Sequence, residues 1–212
     1  MAEPVEAGWV HVWPFTFDAR GHTRELMRHI LSLYCGVDAS ALEFVTGEFG
    51  KPALVPHGVQ PHPVSFNLTH SERKALLAVA DGRPIGVDLE HVSRRTDALA
   101  LSSRYFSSAE AEQVRDAPEV NRQEVFFRLW TAKEAVMKAQ GRGLNAPLDS
   151  FRVIFDEGYG TATVESFDSA RIEPGWFVRS LPSEEGWFAA VAAKTSAWQV
   201  RMVDVSGATS SG

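Results

Sequence analysis

FFRLWTAKEAVMKAQGRGL, residues 126–144, is the stretch around which the chain is organised. Trp130, Glu134 and Lys138 stand four residues apart, which at about 3.6 residues per turn stacks them along one face of a helix. An acid and an amine at i and i+4 can be only a surface ion pair, stabilising a helix by about 0.2–0.5 kcal/mol. Gly86-Val87-Asp88-Leu89-Glu90 raises a second reading. In a strand Asp88 and Glu90 project from the same face, and desolvating a carboxylate in an apolar run is costly unless a partner or cation meets it. Glu90 also reads as an exposed strand end, whereas Asp88, between Val87 and Leu89, does not. Three carboxylates and a lysine suit a magnesium–phosphate site.

Upstream, residues 9–13 (WVHVW) predict a strand ended by Pro14, and residues 22–34 a helix with an apolar stripe of Leu26, Ile30, Leu31 and Leu33, stopped by Gly36. Arg20, Arg24 and Arg28 read as solvated charge around that helix. Residues 42–45 form a short strand before Gly50-Lys51-Pro52, which is either a turn or a loop whose backbone approaches a flat ring while lysine meets a phosphate. Residues 55–63 are a loop in which His57 and His62 are exposed, their spacing fitting no metal site. His70 ends the next strand, where a phosphate contact and a structural hydrogen bond remain equal alternatives. Residues 76–80 and 85–90 read as a hairpin across Asp81-Gly82-Arg83-Pro84.

Helices follow at 97–105, at 109–115 with Ser107 or Ser108 as cap, and at 124–140. Strands at 151–155, 161–164, 176–180, 187–193 and 199–205 complete a mostly antiparallel sheet, and residues 207–212 are a flexible tail. Residues 71–80, SERKALLAVA, align without gaps on 183–192, SEEGWFAAVA, matching at Ser, Glu, Ala, Val and Ala. The expected fold is α+β, a pseudo-twofold pair of similar subdomains with mostly antiparallel sheets and packed helices. An N-terminal half, 1–95, and a C-terminal half, 96–206, place the site between them. The position matching Asp88 is Val200, so the second half contributes its helix instead.

The 212 residues suffice for a full core, and 44% hydrophobic with 23% charged residues are ordinary for a globular chain. A net charge of −6 argues against a broad nucleic-acid surface while leaving room for a basic pocket. A single cysteine, Cys35, excludes an internal disulfide and a cysteine zinc cluster, and reads as a buried helix residue. The absence of a signal-like segment and of a long apolar run predicts a cytoplasmic protein.

The motifs together resemble the Sfp-type 4′-phosphopantetheinyl transferases of the holo-carrier-protein synthase superfamily. The family's ordered signature stands here as Gly50-Lys51-Pro52, Asn67-Leu68-Thr69-His70-Ser71, Gly86-Val87-Asp88-Leu89-Glu90 and Trp130-Thr131-Ala132-Lys133-Glu134-Ala135-Val136-Met137-Lys138. The likeness runs on through Gly141-Arg142-Gly143-Leu144 to Phe151. It implies transfer of the phosphopantetheine arm of coenzyme A to a serine of an apo acyl, peptidyl or aryl carrier protein in fatty-acid, polyketide or peptide synthesis, releasing 3′,5′-adenosine bisphosphate. It further implies that Asp88, Glu90 and Glu134 hold magnesium, or manganese in its place. Lys138 and His70 then meet the pyrophosphate beside Thr69, and Gly50, Lys51 and Pro52 lie at the adenosine end. Lys133 has a supporting charge role. Glu134 is the first choice of base and Glu110 the second. One departure stands out: larger members carry a basic segment before the first helix, whereas between Trp13 and His22 this chain has only Arg20. Arg20, Arg24, Arg28 and Lys51 are the candidates to grip the 3′-phosphate. A monomer is expected, with no nucleic-acid or membrane partner. The rival functions are a non-catalytic coenzyme A or nucleotide binder and a magnesium-dependent phosphohydrolase, the latter distinguished by its acceptor being water.

Overall fold

The computed structural model describes residues 5–18, 20–55, 63–92, 96–141 and 147–204. His57, His62, Arg142, Gly143, Leu144 and the expected tail lie outside the described residues. Two sheets carry the fold. The first has the order β11 (Gln199–Met202), β1 (Trp9–Thr16), β5 (Lys74–Ala80), β4 (Ser65–Ser71). The second has the order β6 (Ile85–His91), β10 (Trp187–Ala193), β9 (Phe177–Ser180), β8 (Thr161–Ser166), β7 (Phe151–Phe155). A small hairpin of β2 (Phe44–Thr46) and β3 (Pro52–Leu54) stands apart.

Alternation along the strands sorts the apolar side chains into three layers of core. Val10, Val12, Leu76, Ala78 and Ala80 meet Ile85, Val87, Leu89, Ala189 and Val191 in one cluster, so the sheets pack face to face. On the outer face of the first sheet, Trp13, Phe15, Leu77 and Val79 pack against Met27, Ile30 and Leu31 of α1 (Arg20–Cys35). The outer face of the second sheet is covered by α2 (Ala98–Tyr105), α3 (Ser108–Asp116) and α4 (Glu119–Gln140) through Phe126, Leu129, Val136, Met137, Phe151 and Ala190. The result is an α+β sandwich in which, among the described residues, all strand pairings but one are antiparallel.

Several expected elements change place. β5 and β6 do not form a hairpin: β5 is paired on both edges, by β1 and β4, so the chain leaves through Asp81–Pro84 and β6 joins β10 instead. Reciprocally, β11 leaves the C-terminal strands and lies parallel to β1 in the first sheet. Pro14 does not end β1, because β11 reaches only as far as Val12 and proline is tolerated on the open edge beyond it. α4 begins at Glu119, directly after Pro118, a full turn before its apolar pattern starts. Cys35 is half-buried.

Candidate active site

The site forms where the edge strands β4 and β6 run beside each other and α4 crosses them. Ile85, Val87 and Leu89 enter the inter-sheet core, so alternation turns Gly86, Asp88 and Glu90 to the α4 side. Gly86 sets the distance. A Cβ there would stand 2.1 Å from the Ala135 carbonyl oxygen and 2.3 Å from the Ala139 nitrogen, so only glycine lets the strand lie directly on the helix backbone. That contact brings Asp88 and Glu90 to Glu134 and Lys138.

Polar side chains of β4 complete the seam. The Val87 N–H donates to Asn67 Oδ1 (2.8 Å), Thr69 Oγ1 donates to Asp88 Oδ1 (3.2 Å), and Ser71 Oγ donates to Glu90 Oε2 (3.1 Å). These three residues share one face of β4 at a period of two, a signal legible in the sequence that the family motif overshadowed. His70 points from the opposite face, is exposed, and stands edge-on to Phe17 at 5.7 Å. The structure does not bring it into the carboxylate cluster.

Asp88 is 4% exposed. Lys138 Nζ donates to Asp88 Oδ1 (2.6 Å) and to Thr69 Oγ1 (2.9 Å), whereas Asp88 Oδ2 and Glu134 Oε1 are buried and have no hydrogen-bond partner. Burial first, then the charges of Asp88 and Glu90, lift the Glu134 carboxyl from 4.5 to about 7 against the opposing pull of Lys138. Among the described residues no three His, Cys, Asp or Glu side chains stand ready-made around a metal position. The donor chemistry nevertheless fits a hard cation: all three groups are carboxylates, and two of their buried oxygens lack the partner that buried polar atoms ordinarily have. Trp130 shares their helix face but packs on Phe126 and Phe106 at ring distances of 5.6 and 6.2 Å.

Other expected site residues are turned into the protein. Glu110, the second choice of base, is 1% exposed and fully engaged: Oε1 accepts from Lys133 Nζ (2.8 Å) and the Val153 N–H (2.9 Å), Oε2 from Ser107 Oγ (2.5 Å), the Ser107 N–H (3.1 Å) and Lys133 Nζ (2.7 Å). No lone pair is left for a serine proton. Lys133 is itself completely buried and also donates to the Phe151 carbonyl (2.7 Å). Burial draws its pKa down to about 8 while Glu110 pulls it upward. The pair ties α4 to α3 and β7.

Lys51 likewise points inward. Gly50 takes a φ of +84° in the turn between β2 and β3, and the Lys51 ammonium donates to the carbonyls of Ile85 (2.7 Å), Lys138 (2.7 Å) and Ala139 (3.3 Å). Desolvation lowers its pKa to about 8. Its three N–H donors are thus matched by three carbonyls, in place of the expected coenzyme A phosphate. Pro52 opens β3 beside it and is exposed. Arg28 Nη2 donates to the carbonyls of Ser40 (3.2 Å) and Leu42 (2.7 Å) and its guanidinium lies 5.2 Å from the Phe44 ring centroid. An apolar cleft of about 470 Å³ lies between the sheets against Leu89, on the face of β6 turned away from Asp88.

A family model described as the 4′-phosphopantetheinyl transferase superfamily matches residues 84–192, the stretch holding β6, α4 and β10. Among curated proteins, the 4′-phosphopantetheinyl transferase HetI of Nostoc sp. is 35% identical over 178 residues, 83% of this chain and 70% of that protein. The transferase Sfp of Bacillus subtilis is 32% identical over 168 residues, 79% of this chain and 70% of its own length. Among solved structures, the holo-[acyl-carrier-protein] synthase of Thermotoga maritima aligns at a TM-score of 0.40 with 18% identity, covering 53% of this chain and 62% of that one.

Proposed function

The chain belongs to the 4′-phosphopantetheinyl transferase superfamily, and on that premise we propose that it transfers the phosphopantetheine arm of coenzyme A to a serine of an apo carrier protein, with Asp88, Glu90 and Glu134 holding magnesium. The observation that carries this reading is the pair of buried carboxylate oxygens without partners, Asp88 Oδ2 and Glu134 Oε1, beside the ammonium of Lys138. Leaving such groups unpaired costs folding energy; a divalent cation would satisfy them, and the cation with Lys138 would in turn meet the pyrophosphate.

Magnesium bound there would supply Lewis-acid stabilisation of the phosphoryl oxygens. The chain's own residues supply the rest. Lys138, steadied by Thr69 and Asp88, presents a fixed positive charge to the phosphoryl group as negative charge grows on it. Glu134 is the carboxylate that would accept the serine proton, directly or through a water. The serine oxygen forms a bond to the phosphorus that bears the pantetheine arm, and the bond from that phosphorus to the bridging pyrophosphate oxygen breaks. The electron pair leaves with 3′,5′-adenosine bisphosphate, and the proton passes to Glu134. Asp88 is buried and Glu134 half-buried, which limits the access of water as a competing acceptor.

Intact-mass spectrometry of apo acyl and apo peptidyl carrier proteins, incubated with the protein, coenzyme A and magnesium, tests the proposal. The expected result is a gain of one phosphopantetheine arm, lost with EDTA, restored by added magnesium, and absent with Asp88→Ala or Glu134→Ala. Hydrolysis of coenzyme A with every carrier unmodified would refute transfer and favour the phosphohydrolase.

A further inference from the structure

Two elements must keep a fixed spacing for this site to exist: α4, which carries Glu134 and Lys138, and β6, which carries Asp88 and Glu90. The C-terminal end of α4 needs partners from outside the helix, because the last carbonyls of a helix have no intrahelical donor. Gly141 answers part of this need, with φ +71° and its N–H directed to the carbonyls of Met137 and Lys138. The Lys51 ammonium answers more of it. It binds the carbonyls of Lys138 and Ala139 on the helix and that of Ile85 on the strand, next to the Gly86 contact. A cation at this end also meets the negative pole of the helix dipole. The backbone of Lys51 is itself held, its carbonyl accepting from the Gly47 N–H at 2.9 Å.

We infer that Lys51 is a positioning residue for phosphopantetheinyl transfer, which bolts the last turn of α4 to the start of β6 through three backbone carbonyls and sets the Lys138–Asp88 distance without touching substrate. The inference rests on the transferase reading above. It separates Lys51 from a phosphate-binding lysine, whose loss weakens coenzyme A binding, and from a merely structural one, whose loss lowers stability alone.

The test compares wild type, Lys51→Met and Lys51→Arg, each shown by circular dichroism to be folded at the assay temperature. Turnover is measured with coenzyme A varied, and coenzyme A binding by calorimetry. Amide hydrogen exchange is followed at residues 86–88 and 138–141. For Lys51→Met the expected results are a fall in kcat of about tenfold or more, KM and Kd for coenzyme A within about threefold of wild type, and faster exchange in both segments, with Lys51→Arg partly restoring each. Should Lys51→Met not fold, Lys51→Gln, which keeps an N–H donor on a shorter stem, is read by the same criteria. A raised KM and Kd at preserved kcat overturns the inference in favour of a phosphate contact. Lower thermal stability with unchanged kcat overturns it in favour of simple stabilisation. Unchanged exchange in both segments overturns it whatever the turnover. Failure of the wild type to modify any carrier sinks the transferase reading instead, and leaves the exchange measurement to decide whether Lys51 holds helix to strand.

Discussion

Gly86→Ala is the smallest change that should separate the two halves of the site. The φ of Gly86 is not in the left-handed region, so alanine is acceptable to the backbone and only space decides. The added methyl would stand 2.1 Å from the Ala135 oxygen, 2.3 Å from the Ala139 nitrogen and 2.9 Å from the Ala139 Cα. Non-bonded heavy atoms settle at about 3.5–4.0 Å, so strand and helix must part by more than about 1 Å. All three obstacles are backbone atoms, which no rotamer change can remove. Overpacking typically costs about 1–3 kcal/mol; the rigidity of this contact places it at about 3. For a chain of this size that lowers Tm by about 6–12 °C. A displacement of about 1 Å at Asp88 relative to Lys138 costs about 100-fold in kcat. Scanning calorimetry and carrier-modification rates well below the variant's Tm measure the two effects. Gly36→Ala is the control, since its φ of +65° destabilises the end of α1 while a Cβ there meets nothing, and turnover should stay at the wild-type value. A Gly86→Ala protein within about 2 °C and threefold of wild type would refute the close contact of β6 with α4.

Three further outcomes follow from the same geometry. Because the folded-state pKa of Glu134 is raised from 4.5 to about 7, the folded protein keeps a proton that the unfolded chain has released; this stability is fully present below about pH 4.5 and lost as pH rises through about 7. Without magnesium, the Tm of Glu134→Gln should therefore gain on that of wild type between about pH 5 and 8, and a difference that does not change with pH contradicts the burial of this carboxyl. Glu110→Gln leaves the fully buried Lys133 ammonium without its counter-charge and should cost about 3–5 kcal/mol in urea unfolding. The double variant Glu110→Leu/Lys133→Met should recover part of that loss, and a double variant no better than the single rules out a charge-based origin. Asn67→Leu leaves the buried Val87 N–H without its acceptor, at a cost of about 1–3 kcal/mol by the same assay, and an unchanged midpoint would show that the seam between β4 and β6 does not depend on this bond.

Local patterning revealed the elements better than their partners. The alternation of β1, the stripe of α1 and the i, i+4 spacing in α4 were all legible, because each depends on residues a few positions apart. Strand exchange was not. Residues 76–80 and 85–90 carry every mark of a hairpin, yet β5 already has neighbours on both edges, a fact held by β1 and β4 and not by the turn. The start of α4 was missed for a different reason: Val120 is 86% exposed, so the first turn adds nothing to an apolar stripe. At the site, Glu134 and Lys138 were legible from their i, i+4 spacing and Asp88 from its charge in an apolar run, and the three stand together. Glu110 and Lys51 carry equally chemical side chains, and their assignment depends on which way each one points across a tertiary contact.

The signature that runs through this chain therefore has two kinds of member. Gly86, Asn67, Lys133 and Lys51 engage backbone or a buried counter-ion, and each fixes one contact of α4 or of the seam between β4 and β6. Asp88, Glu134 and Lys138 instead leave electrostatic demands unmet, with two partnerless oxygens and a carboxyl held near neutrality. Mutual repulsion between Asp88, Glu90 and Glu134 tends to open such a cluster, and Lys138 opposes this from within. The framework residues supply restraint through hydrogen bonds to backbone, a buried ion pair and a close backbone contact that admits no adjustment. The carboxylates therefore stay close together because the strand and helix that carry them are held, with Lys138 offsetting part of their charge.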